Sequence, residues 1–312
     1  MSVWQSLLSA GIIGIVLMKV TPILLAAIGG ALTDQAGVLN IGLEGMMLIG
    51  AFASVAVGAA FQSWVVGVVA AMASGIVLGL VFAVCSLWLK ADFIVVGIGV
   101  NILAAGLTMF LLDRIYGTPG ITPASVHVVM PPVSLGPLAE VPFIGPAFND
   151  LTPLVWVALV AVPLYSLVLC RTRFGIHVRA VGQDEPAAIA AGINQNRVRF
   201  TAILASGALA GIAGAQLSMS SLGSYNANMT SGRGFIAVAA LTFGRSRPVP
   251  TFIAALVFGL AEAVSDRMNV TGALDSNLAL MLPYVITIVA LTVAAAMRRR
   301  RRGRLGVGVG PA

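Results

Sequence analysis

The sequence predicts an all-α polytopic membrane bundle of about eight to ten spans. Hydrophobic residues make up 59% of the 312 and charged residues only 9%, against about 25% charged in soluble domains. Mean hydropathy is +1.00. Apolar runs of about twenty residues, the length that crosses a hydrocarbon core, recur along the whole chain. The short alternating segments of a transmembrane barrel are not seen.

In order, the apolar runs place spans at about 3–32, 43–61, 65–89, 93–112, 151–170, 200–218, 229–244, 250–264 and 277–297. A break is expected in the first at Thr21 and Pro22, because proline removes a helix hydrogen bond. Residues 7–18 alone are too short to span. The 229–244 run is also short, and reads as a tilted or broken span. The chain carries 35 glycines, many inside spans: Gly75 and Gly79, Gly97 and Gly99, and Gly207, Gly211 and Gly214. Small residues let helix backbones approach closely in lipid, so a tightly packed bundle is expected. We read one transmembrane domain over 1–297 and a basic tail over 298–312.

Arginine sets the sidedness. A polar island at 171–199 holds five arginines between apolar runs, and the tail holds arginines at 298–302 plus Arg304. Both should face the cytoplasm, with Arg245 and Arg247. Counting back gives a cytoplasmic turn at 90–92, an external N-terminus and an external 116–150 loop. The net charge of +7 sits largely in the tail, where it meets lipid head groups; it is not a nucleic-acid signal. No basic region precedes the first apolar run, so a cleaved signal peptide is not expected. Cys85 and Cys170 have no metal-ligand spacing and read as small packing residues.

Inside the island lies the grammar of a short capped helix. Asp184 caps it, Glu185 and Pro186 suit its first turn, 187–191 form its body and Gly192 stops it. Such a helix, held on the cytoplasmic face of a bundle, suits contact with another protein. Three further constellations carry polar groups among apolar ones. In A-G-V-L-N-I-G-L-E-G-M-M (36–47), Asn40 and Glu44 stand four residues apart among glycines. One reading is a discontinuous helix lining a pathway. An acid at the bilayer centre costs about 2.5–3.5 kcal/mol on insertion scales. The other reading puts Glu44 near the interface, favouring the start of its own helix. Asn101, within a span, either makes an interhelical hydrogen bond of about 0.6 kcal/mol or binds solute with its amide. Arg233, between Gly232 and Gly234 at the outer mouth of a span, either guides a polar substrate, contacts a delivering protein or snorkels to head groups. Glu262 is a lone acid that would pair with a neighbouring helix. His127 and His177 fall in loops.

Chemistry is hard to find elsewhere. The two lysines, Lys19 and Lys90, lack the glycines of a phosphate-binding loop. There is no serine–histidine–acid grouping, and no catalytic residue, metal site or cofactor is assigned.

Four stretches carry a family resemblance: G-V-L-N-I-G-L-E-G-M-M-L-I-G-A-F (37–52); R-F-G-I-H-V-R-A-V-G (173–182) with A-A-I-A-A-G-I (187–193); A-S-G-A-L-A-G-I-A-G (205–214); and M-T-S-G-R-G-F-I-A-V-A-A-L-T-F-G-R-S-R-P (229–248). In order and spacing they resemble the permease subunits of bacterial ABC importers, in the branch serving branched-chain amino acids, simple sugars and nucleosides. N-I-G-L-E-G-M-M and S-G-R-G-F-I-A resemble the nucleoside and simple-sugar permeases most. The resemblance implies a multi-pass protein of the bacterial plasma membrane and an ATP-driven import of nucleosides or simple sugars. It implies separate ATPase subunits, a second permease chain (copy or paralogue) and an extracellular or periplasmic substrate-binding protein. The family's coupling segment falls on Arg179, Asp184, Glu185, Pro186, Ala187, Ala188 and Gly192. Pro186 stands where the general importer pattern has alanine, and proline in a first turn costs little. The substrate pathway would run by Asn40, Glu44, Asn101 and Arg233. The alternative is a self-sufficient secondary carrier or channel, which would couple through titratable groups in the spans; only Glu44 and Glu262 stand out there.

Overall fold

A computed structural model of the protein describes residues 11–118, 120–133, 148, 150–220 and 222–270. These residues form helices joined by tight turns, with only isolated bridges and no strands among them. Helix α1 is Gly11–Gln35, α2 is Leu43–Ala60, α3 is Trp64–Ala83 with a π-helical end at Val84–Trp88, and α4 is Phe93–Tyr116. Helix α5 is Pro153–Arg171, α6 is Arg173–Gln183, α7 is Glu185–Ala190, α8 is Gln195–Met219, α9 is Arg233–Phe243 and α10 is Pro248–Val270. Seven of these are long and apolar enough to cross a membrane: α1 to α5, α8 and α10.

Apolar character all round predicts burial, and α1 fulfils it. Its Ile23, Leu24, Leu25, Ala26 and Ala27 are essentially inaccessible, and α8, α10, α9 and α5 pack around it. Helices α4 and α5 are equally apolar but turn most of their surface outward, as lipid or protein neighbours allow. The second organising feature is backbone contact between α3, α8 and α2. A Cβ at Gly75 would lie 2.1 Å from the Gly207 carbonyl oxygen, and one at Gly211 would lie 2.1 Å from that of Ala71. Gly214 meets the Met47 carbonyl in the same way. Gly97 likewise lies against Gly42 and Ile41, whereas Gly99 faces open space.

Several expectations change. The first span is not broken at Pro22, because α1 runs through it. Pro22 leaves the Met18 carbonyl without its i+4 amide, while the Thr21 hydroxyl donates to the Leu17 carbonyl at 2.7 Å. The 229–244 run does not hold a full-length span. Its helix, α9, has only 11 residues, roughly 16 Å of rise, and starts inside the bundle. The island holds two helices rather than one, and His177 lies on α6, not in a loop. Thr172 caps α6 by accepting the Gly175 amide. The expected 277–297 span, the tail, residues 3–10 of the first span and the 134–147 part of the 116–150 loop lie outside the described residues. What is described of that loop, 120–133, binds the 219–226 segment. The Thr122 amide donates to the Tyr225 carbonyl and the Met130 amide to the Met219 carbonyl, each at 3.0 Å.

Candidate functional site: a capped helix linked to a polar cavity

At the island face, α7 has the caps its sequence predicts. The Asp184 carboxylate accepts the Ala187 amide at 3.0 Å. Gly192 adopts φ +80°, and the Ile193 amide closes the end by donating to the Ala188 carbonyl, the pattern of a glycine-stopped helix. Pro186, Ala187 and Ile189 face outward, while Ala188 is buried. Glu185 turns inward to Arg199, which donates from Nη2 to its Oε2 at 2.8 Å. The same guanidinium donates from Nε to the Ala36 carbonyl at 3.2 Å and from Nη1 to Gln195. Arg179 keeps a buried Nε without a partner among the described residues. Next to it, α6 lies directly on the end of α1: a Cβ at Gly182 would sit 2.1 Å from the Gln35 carbonyl oxygen. The Gly182 contact from α6 and the Arg199 side chain, which also holds Glu185, therefore tie the island to 35–37.

From there the chain leads straight into the Asn40–Glu44 segment. Asn40 is 1% exposed; its Oδ1 accepts the Gly42 amide at 3.0 Å and its Nδ2 donates to Ser206 Oγ at 3.1 Å. Asn101, from α4, accepts the Gly45 amide at 2.8 Å and donates to the Ile41 carbonyl at 3.1 Å. Its interhelical hydrogen bond is thus a pair of bonds that satisfies the irregular backbone before α2. Glu44 sits in the first turn of α2, but both its oxygens serve a different helix. Oε1 accepts the Gly232 amide at 2.8 Å and Oε2 the Gly234 amide at 2.6 Å. A carboxylate at a helix start satisfies orphan amides and meets the positive end of the dipole. The side chain is 8% exposed, so α9 begins on a buried anion. Gly234 is what permits this: a Cβ there would lie 2.5 Å from the Glu44 Cα.

Arg233 opens α9 and does not snorkel out of the bundle. Its Nε donates to Glu262 Oε1 at 2.7 Å, its Nη2 contacts the same oxygen, and its Nη1 donates to the Met229 carbonyl at 2.9 Å. Glu262 therefore has the helix-to-helix partner expected of a lone acid in a span. One turn further along α10, Asp266 pairs with Lys19 of α1.

These pairs border a cavity of about 580 Å³, lined among others by Met18, Lys19, Pro22, Gln216, Asn226 and Arg233. That volume suits a small ligand. The wall alternates apolar groups with amides and hydroxyls. Of the pathway residues read from sequence, Arg233 lines this cavity, while Asn40, Glu44 and Asn101 build the shell that carries α9. Sequence reasoning overlooked Arg199, Gly182 and Gln216. A single amide inside the apolar run of α8 is the signal that would have marked Gln216, since polar groups in spans are costly.

Comparison with known proteins agrees with the geometry. The family model described as the permease component of branched-chain amino acid transport systems matches residues 12–291. The guanosine ABC transporter permease protein NupQ of Bacillus subtilis is 34% identical over 88% of this chain and 89% of that protein. The nucleoside ABC transporter permease protein NupC of Lactococcus lactis is 33% identical over 90% of each. A putative glucose ABC transporter permease of Haloferax volcanii is 34% identical over 86% of this chain and 81% of its own length. No solved structure is significantly similar to the chain.

Proposed function

This chain belongs to the permease-component family of branched-chain amino acid transport systems, and from that premise we propose that it forms the solute path of an ATP-driven importer of nucleosides, with simple sugars the next candidate. It is a multi-pass transport subunit, not an enzyme, and it works with the other components of an ABC transporter. In this reading the arginine-rich island and the C-terminal tail face the cytoplasm of a bacterial cell. The partner ATPase docks on the outward side of α7. A second permease chain completes the membrane core, and a binding protein delivers solute to the opposite face.

The observation that carries this reading is a line of hydrogen bonds, joined through the chain at 36–44, from α7 to the cavity wall. Glu185 holds Arg199, and Arg199 holds Ala36. Four residues on, Asn40 is pinned to α8, and Glu44 grips the start of α9. Arg233, at that start, lines the cavity. A displacement of α7 by the ATPase would be handed to the cavity wall through these hydrogen bonds and the 36–44 backbone between them, a relay through rigid elements of the kind that drives alternating access. Asn101 fixes the level at which the segment turns.

The test is Ile189→Asp, since Ile189 is half exposed on the docking face and makes no internal bond that the change would break. In the assembled transporter, ATP-driven uptake of labelled guanosine should fall at least tenfold, with chain abundance in the membrane unchanged. Uptake at the wild-type rate rejects the assigned docking face. Uptake by the purified chain alone, driven by an ion gradient, rejects the ATP-driven reading in favour of a self-sufficient carrier.

A further inference from the structure

Three features of the cavity point to the kind of solute it takes. First, its cations are already neutralised: Arg233 lies against Glu262 and Lys19 against Asp266. A ligand anion would have to compete with carboxylates within hydrogen-bond reach, so the cavity fits an uncharged solute. Second, two side-chain groups lining it are buried without a partner among the described residues: the Gln216 Nε2 donor and the Asn226 Oδ1 acceptor. Gln216 is 1% exposed, and an unmet buried amide is costly enough to call for an explanation. Third, the Met18 carbonyl has no i+4 amide because Pro22 follows it, and both residues line the same cavity. Unmet donor and acceptor groups thus converge on one space of mixed polar and apolar lining.

We propose that this cavity is the solute subsite and that Gln216 reads the polar edge of a nucleobase, with Asn226 supplying the complementary acceptor. The proposal rests on the nucleoside-import reading above. Gln216 is built for the task. Its Oε1 accepts a hydrogen bond from the Thr152 hydroxyl at 2.9 Å, and that fixes the amide with its NH₂ left for a ligand. Thr152 gives up a usual role to do so: it is the N-cap of α5, yet its side chain makes no capping bond. Thr152 is thus a positioning residue, 2% exposed. The apolar part of the wall includes the thioethers of Met18 and Met229, soft groups that pack well on an aromatic face. A base has both a flat aromatic face and an edge that alternates donors and acceptors, whereas a sugar offers hydroxyls around a puckered ring with no aromatic face.

The experiment uses the complete transporter in its native host, with this gene deleted and then restored as wild type, Q216M, N226L or T152V. It follows labelled guanosine, uridine and ribose. Q216M conserves volume and should raise KM for guanosine at least tenfold while changing the guanosine-to-uridine ratio of kcat/KM. N226L should raise KM in the same direction; its side chain is only partly buried, so it serves if Q216M fails to reach the membrane. T152V should show a smaller rise, with kcat little changed, because it frees the amide to rotate instead of removing it. KM values within twofold of wild type for Q216M or N226L overturn the subsite. Equal losses for guanosine, uridine and ribose overturn base reading and assign the amide to sugar hydroxyls. A wild-type strain that takes up none of the three overturns the nucleoside-import reading itself, and this subsite with it.

Discussion

Replacing Glu44 by glutamine tests the join between the Asn40–Glu44 segment and α9. Gln keeps the size and one carbonyl oxygen, but it presents an NH₂ to the second amide. The carboxylate now accepts the Gly232 amide at 2.8 Å and the Gly234 amide at 2.6 Å. Hydrogen bonds to charged groups contribute about 1.5–3 kcal/mol each. A charge at a partly buried helix terminus adds up to ~2 kcal/mol. Losing one bond, reducing the other to a neutral bond and removing the dipole interaction comes to about 3 kcal/mol, or roughly 150-fold in the docking equilibrium. Equilibrium unfolding of the purified protein in detergent should show that loss at unchanged slope. Gly234→Ala attacks the same junction by sterics, since its Cβ would lie 2.5 Å from the Glu44 Cα and N. The double variant should therefore lose clearly less than the sum of the singles, as expected when two changes undo one contact. As a control, Asp266→Asn breaks a pair whose side chains are 32% and 46% exposed, and it should cost under about 1 kcal/mol. A Glu44→Gln loss no larger than that of the control would refute the assignment of Glu44 as the anchor of α9.

Arg233→Met alone should destabilise by about 3–5 kcal/mol in the same unfolding measurement, because it strands the buried Glu262 carboxylate. Arg233→Met with Glu262→Met should recover most of that loss, since a buried pair replaced by packed apolar groups is often near neutral; transport by the double variant would report whether the cavity needs the guanidinium. Gly211→Val should abolish recovery of folded protein from membranes, as even a Cβ would lie 2.1 Å from the Ala71 carbonyl oxygen; a normal yield with a normal gel-filtration profile would show that α3 and α8 separate easily.

The parts of the site that the sequence discloses are those set by local chemistry. Asp184 and Gly192 act within a few residues of themselves, so a capped helix could be read directly, and the structure puts both caps in place. The apolar spans were equally legible, because length and composition suffice. Distance along the chain hides the rest. Glu44 serves amides 188 and 190 residues away, and nothing near it in sequence points to them. Arg199 was visible only as one of several positive charges, although it joins Glu185 to Ala36. The 229–244 run was apolar enough to resemble a short span; it became an 11-residue helix that starts mid-bundle because a distant carboxylate meets its first amides. The first island helix is harder to read, because its buried face is only Gly175, Val178 and Val181 among arginines, and its start is marked by the single Thr172 cap.

The long sequence gap between Glu44 and its amides has a consequence for biogenesis. The ribosome makes residue 44 well before 232 and 234, and at about 5–20 residues per second the delay is on the order of 10–40 s. Throughout that interval the newly inserted first hairpin carries an acid with no helix start to receive it. Until the later part of the chain arrives, this hairpin lacks the two amides that its acid holds in the finished fold. Fragments that stop short of 232 would leave this acid stranded, so assembly of the amino-terminal half depends on the last third of the chain being made.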